Sequence, residues 1–154
     1  MPPLRRAPPR DLAELRVRAE ALAGRTLGEI AEALAVSLDG EAVRTKGRAG
    51  QLVERALGAG AGSTAAPDFA HLGVELKTVP VDPDGAPRES TFVCAIPLAE
   101  ADAACWARST ARAKLAHVLF VPIVVDGGAM SARRLGRPRF FRPTPAQEAI
   151  LQSD

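Results

Sequence analysis

The hydrophobic residues of this chain change period once, and that change constrains the fold more than any other feature. Up to Leu57 apolar side chains return every three or four residues, whereas from Leu72 they alternate. Helices are therefore expected first and strands afterwards. Asp11 is a suitable N-cap for a helix carrying Leu12, Leu15, Ala19 and Leu22 on one side and ending at Gly24. Thr26 and Glu29 have the capping-box spacing ahead of Leu27, Ile30 and Leu34, so the first two helices are expected to form a helical hairpin. Lys46-Gly47-Arg48 leads into a third helix, with Leu52 and Ala56, and Val53 and Leu57, at i,i+4, and the helix is expected to stop at Gly58.

Between the two regimes runs a small-residue stretch, Ala59 to Pro67, which reads as a loop that leaves space for a ligand. The alternating segment Leu72 to Val81 then places Val74, Leu76 and Thr78 on one face and Glu75, Lys77 and Val79 on the other. After a turn at Asp82-Pro83-Asp84-Gly85, Thr91 to Leu98 (TFVCAIPL) reads as a strand buried on both faces, so a hairpin is expected. A short helix follows at Ser109 to Ala116 with Lys114 on it. Val118 to Val125 is another buried strand, where Pro122 calls for an edge position or a bulge. Arg133 to Arg142 pairs as a further strand in this reading. Thr144 and Gln147 form a capping box, with Pro145 at the first position of a last helix.

With 154 residues, 47% hydrophobic and 25% charged, the chain is large enough for one core and excludes a disordered, collagenous or coiled-coil class. The longest apolar run, Val118 to Val125, is far too short to span a bilayer. MPPLRRAPPR has charge but no apolar segment behind it, so residues 1–10 are expected to be a flexible arm and the protein cytoplasmic. Cys94 and Cys105 fit no zinc spacing and are expected to be reduced, buried thiols.

The net charge of +2 conceals an asymmetry: between Ala103 and Arg142 only Asp126 is acidic, against Arg108, Arg112, Lys114, Arg133, Arg134, Arg137, Arg139 and Arg142. A basic segment of that kind suits phosphate contacts, although a solvated surface would have the same composition. His71 and His117 have no ligand-spaced partners and are read as structural or surface residues. Ser63 and Thr64 are read as loop residues rather than nucleophiles, and Trp106, Phe140 and Phe141 as core.

The residues that carry chemistry are Asp68, Glu75 and Lys77, with Glu54 one helix earlier. Phosphodiester hydrolysis needs an activated water, charge relief on the phosphate and stabilisation of the leaving oxygen, and divalent ions can supply all three. Magnesium keeps most of its waters and takes few carboxylates, so Asp68, Glu75 and the backbone carbonyl of Leu76 make a suitable partial shell. Lys77 would orient water or steady the phosphate, and Glu54 would complete a second coordination shell or bind a second ion. The bland alternative is a solvated strand face, with Asp68 capping a turn.

The block KGRAGQLVERALGAGAGSTAAPDFAHLGVELKTVPVD, followed by ESTFVCAIPL, ARAKLAHVLFVPI and RRLGRPRFF and preceded by TLGEIAEALAV, closely resembles the MutH family of DNA mismatch repair endonucleases. The resemblance implies an α/β, restriction endonuclease-like fold, a central mixed sheet flanked by helices, with a PD-(D/E)XK site. It matches Asp68 and Glu75 to the family's metal carboxylates, Lys77 to its catalytic lysine, Glu54 to its helix glutamate and Lys114 to the lysine of its KL motif. It further implies magnesium as cofactor, nicking of the unmethylated strand of double-stranded DNA at hemimethylated GATC, and activation by MutL after MutS. Chains of the family run on past the point where this one stops, so residues 11–154 are expected to be the endonuclease domain without the C-terminal arm. A double-strand-cutting relative, or a DNA-binding fragment without turnover, are the competing expectations.

Overall fold

The computed structural model describes residues 6–38, 45–60 and 65–154; Ser63 and Thr64 lie outside them, as do residues 1–5 of the expected arm. The elements in chain order are α1 (Leu12–Leu22), α2 (Leu27–Ala33), α3 (Thr45–Leu57), β1 (Glu75–Val81), α4 (Thr110–Leu115), β2 (Val118–Val124), β3 (Arg139–Phe141) and α5 (Pro145–Ser153).

Local sequence chemistry sets the helix starts. Asp11 accepts from the Glu14 N–H at the head of α1, and α2 and α5 both begin with complete capping boxes, Thr26 with Glu29 and Thr144 with Gln147. Gly58 follows α3 at φ +83°, and any Cβ there would collide with the Ala7 carbonyl. That close approach docks the described end of the N-terminal stretch: Pro9 is fully buried, and Arg18 donates to the carbonyls of Ala7 and Leu57. The first two helices pack less against each other than against α3, so they are not the close hairpin expected. Both instead lean on α3, and α2 also meets the turn at Met130–Ala132.

Among the described residues the sheet has three strands in the order β1-β2-β3, β1 parallel to β2 and β2 antiparallel to β3. The fold is thus a mixed α/β one, as expected, but the pairing differs from the sequence reading. β1 pairs with Val118–Val124 and not with Thr91 to Leu98, which forms no strand and carries Phe92 at 72%, Ile96 at 64% and Leu98 at 91% exposure.

The backbone of β1 explains why the hairpin fails. Glu75 N–H donates to the His117 carbonyl and Val81 accepts from Val125 N–H, so the odd-numbered residues face β2. Leu76, Thr78 and Pro80 therefore face the outer edge. There the Leu76 N–H is taken by Asp68, Pro80 has no N–H, and the returning chain makes one isolated bridge, Val81 with Pro87, through the bonds Asp82 N–H to Ala86 and Arg88 N–H to Pro80.

Pro122 lies in the central strand, not at an edge. The bulge half of the expectation holds: β2 pairs Phe120 with Arg139 but Ile123 with Leu135, so one extra residue sits on the strand opposite. Only three residues of the Arg133 to Arg142 stretch form β3. The core gathers Leu15, Leu27, Ile30, Val53 and Leu57 from the helices with Phe69, Val74, Leu119 and Val121. Neither cysteine belongs to it: Cys94 is half-buried and Cys105 exposed, which corrects the buried role expected of both.

Candidate active site

The site is assembled where the chain enters β1. A short 3-10 turn, Ala70–Leu72, ends at Gly73 in the left-handed region, and Phe69 and Val74 pair across it. The turn folds Asp68 back beside the first residues of the strand. The Asp68 carboxylate accepts from Leu76 N–H at 2.9 Å, and the Asp68 N–H reaches Glu75 Oε2 at 3.3 Å. Two carboxylates seven residues apart are thus held by each other's surroundings. The Leu76 carbonyl shares the outer edge with its N–H, on the side of Asp68.

Glu75 is 2% exposed, which is incompatible with a solvated strand face. Its Oε1 receives Lys77 Nζ at 3.3 Å and Lys114 Nζ at 3.1 Å. Lys114 is itself buried, in the last turn of α4, whose N-cap is Ser109. A lysine 39 residues away in sequence is therefore brought to the same oxygen as Lys77. Burial raises the Asp68 pKa, the Leu76 N–H bond opposes that, the charge of Glu75 raises it further, and Lys114 and Lys77 lower it.

Glu54, on α3, shares with Leu76 and Lys77 a groove of about 740 Å³ that Gly47, Gly50 and Phe92 also line. Phe92 lies with its ring centroid 6.0 Å from Lys77 Nζ, at the groove's mouth. The basic segment is divided in use. Arg134 donates to the Gly24 carbonyl at 2.7 Å, Arg133 is half-buried with an Nε that meets no partner among the described residues, and Arg137 is exposed.

The donor set suits a hard divalent cation. Asp68 and Glu75 supply two converging carboxylates and Leu76 a carbonyl on the same edge, and a cation would favour the ionised form of Asp68, which burial first and the charge of Glu75 after it disfavour. Among the described residues no three His, Cys, Asp or Glu side chains form a cage. Magnesium, which retains several waters, does not require one.

Sequence reasoning passed over two contributors. Phe69, 1% exposed, packs the turn that presents Asp68, and nothing in the spacing of apolar residues marks it apart from its neighbours. Trp106 is half-buried rather than a core residue, and its Nε1 donates to Glu148 of α5.

His117 is buried, and its carbonyl anchors Glu75 N–H at 2.9 Å. Burial first, then Arg142 and Arg16, push its pKa below the ordinary imidazole value. A depressed histidine pKa favours the neutral ring in the folded state, so this stability is present above about pH 6.5 and is lost as pH falls through the folded pKa. Melting measured from about pH 7 down to about pH 5 should fall more steeply for the parent than for His117→Gln. Equal slopes would remove His117 from the acid response.

With this geometry in place, the similarity to known proteins acquires residues to act on. Residues 57–154 match the family described as DNA mismatch repair enzyme MutH. The DNA mismatch repair protein MutH of Shewanella oneidensis is 43% identical over 148 residues, covering 96% of this chain and 66% of that protein. Its namesake in Haemophilus influenzae strain PittEE is 44% identical over 149 residues, covering 95% of this chain and 66% of the relative. The chain thus spans just under two thirds of the length of the curated relatives it matches. Because the matched segment takes in more than half of the chain, with Asp68, Glu75, Lys77 and Lys114 all inside it, the chain belongs to the MutH family.

Proposed function

We propose that this chain carries the catalytic part of a magnesium-dependent DNA endonuclease of methyl-directed mismatch repair, nicking the unmethylated strand at hemimethylated GATC. The reading places it in the cytoplasm, with double-stranded DNA as substrate, MutL as activator and MutS acting through MutL. One observation carries it: two carboxylates and two lysines converge at the start of β1, where Leu76 and Lys77 line an open groove.

Asp68, Glu75 and the Leu76 carbonyl would hold the magnesium ion, with Glu54 beside them. The bound ion would offset charge on the scissile phosphate and make a coordinated water more acidic. Lys77, half-buried and lining the groove, would orient that water or the phosphate oxygen. Lys114 fixes the Glu75 carboxylate from the buried side, so its second oxygen keeps its direction toward Asp68. Arg137, and Arg133 and Arg134 where their structural contacts allow, would meet backbone phosphates away from the cut.

The test is a nicking assay on a hemimethylated GATC duplex with magnesium, with and without MutL. The expected result is a nick in the unmethylated strand, slowed about a hundredfold or more in Asp68→Ala. Cutting of both strands without MutL would identify a restriction-type enzyme, and salt-dependent binding without turnover a DNA-binding fragment. Equal rates for parent and Asp68→Ala would remove Asp68 from the site.

A further inference from the structure

The groups nearest the reaction do not explain what holds Lys114 in place. Its helix, α4, has only six residues, too few to be stable from its own hydrogen bonds. It emerges from a 3-10 turn, Trp106–Arg108, and the junction between the two is Ser109. A single atom spans that junction. Glu148 Oε1, on α5, accepts from Trp106 Nε1 at 3.2 Å on one side of Ser109 and from Arg112 Nε at 2.9 Å on the other.

Those two donors lie before and after the point at which α4 would pivot. Arg112 is two residues from Lys114, whose ammonium must travel no more than its 3.1 Å bond to Glu75 allows. A rotation of α4 about Ser109 would carry Lys114 away from Glu75. The clamp of Glu148 opposes that rotation from outside the active site. Arg112 first, through its hydrogen bond, and then Trp106 hold the Glu148 carboxyl below its ordinary pKa, so it is ionised when the clamp is made.

We propose that Glu148 is a positioning residue for Lys114: through Trp106 and Arg112 it fixes the orientation of α4 and so the contact of Lys114 with Glu75. The proposal rests on Lys114 and Glu75 belonging to the active site. The clamp contributes little to global stability, because the Arg112 and Glu148 side chains are 47% and 38% exposed and water screens the pair.

The experiment compares Glu148→Leu and Glu148→Gln with the parent. Gln keeps the acceptor oxygen for both donors, and Leu removes it. Glu148→Leu should lower kcat for nicking about tenfold with KM within about twofold, since a small misplacement of a catalytic group affects the chemical step rather than binding. Glu148→Gln should recover to within about threefold of the parent. In a Lys114→Met background Glu148→Leu should cost nothing more, because its effect runs through the ammonium already removed.

A second readout needs no turnover. In the metal-free chain, labelled with nitrogen-15, the Lys114 ammonium protons should exchange slowly with water in the parent and in Glu148→Gln and rapidly in Glu148→Leu, while the melting temperature moves by at most about 2 °C. Unchanged ammonium exchange in Glu148→Leu would overturn the proposal, as would additive rate losses in the double variant. A parent chain that does not nick would count against the proposed function and leave the exchange measurement to decide the positioning role.

Discussion

Glu75→Ala should lower magnesium-dependent nicking about a thousandfold and destabilise the fold by about 3 kcal/mol. Both effects start from one oxygen. Glu75 Oε1 receives both ammonium groups, and the side chains of Lys114 and Lys77 are 11% and 19% exposed. Removing the carboxylate leaves Lys114 buried beside a cavity, with Asp68 as the nearest compensating charge. Breaking a buried pair in this way typically costs about 3–5 kcal/mol, and the lower end applies because Lys77 can swing into the groove and regain water.

The Glu75→Gln variant separates the two effects. Its amide oxygen can still accept from both lysines, without the charge, and its volume is unchanged, so about half of the lost stability should return. Nicking should not return, because a neutral amide cannot replace a carboxylate as a magnesium ligand. Loss of the Glu75 charge also lets the Asp68 pKa move back toward its ordinary value, since that charge was one of the causes that raised it. Urea denaturation and single-turnover nicking measure the two quantities independently. A Gln variant that nicks at the parental rate would remove Glu75 from the metal shell.

How far the sequence foretold this molecule depends on the range of the interaction concerned. Asp11, Thr26 with Glu29, and Thr144 with Gln147 cap their helices as expected, because a cap is decided within four residues. Two strands, expected over Leu72 to Val81 and Val118 to Val125, were located to within a few residues, yet Thr91 to Leu98 forms no strand and the partner of β1 was misassigned. Thr91 to Leu98 is a mostly apolar run, as is Val118 to Val125, and its local pattern does not by itself exclude a strand. The choice is made by the edge of β1, where the Asp68 carboxylate and the missing N–H of Pro80 leave no continuous ladder for a hairpin. The site followed the same division. Asp68, Glu75 and Lys77 lie within ten residues and could be read together from their chemistry. Lys114 entered only through resemblance to the MutH family, since periodicity cannot bring a residue of α4 to the oxygen that Lys77 also contacts. Glu148 entered not at all, because a half-exposed glutamate on the last helix has no sequence signature.

Phe69→Ala should cost about 4 kcal/mol, a large part of the roughly 5–15 kcal/mol by which a domain of this kind is stable. The ring is 1% exposed and belongs to the same core cluster as Leu57, Val74 and Leu119. Its truncation removes both the burial of the ring and the contacts around the cavity it leaves, which neighbours on α3 and β2 can fill only in part. The position also has a local duty. Phe69 N–H donates to the Val74 carbonyl at 2.9 Å and its carbonyl receives Val74 N–H at 3.3 Å, closing the turn that sets Asp68 against Leu76. Phe69→Leu, which keeps most of the volume, should cost no more than about 1.5 kcal/mol and leave magnesium affinity near that of the parent. In Phe69→Ala the urea midpoint should fall with an unchanged slope, and magnesium should bind more weakly even where the chain remains folded, because Asp68 is no longer held to the strand edge. A loss below about 1 kcal/mol for the alanine variant would mean that the turn is supported by its backbone bonds and not by the ring.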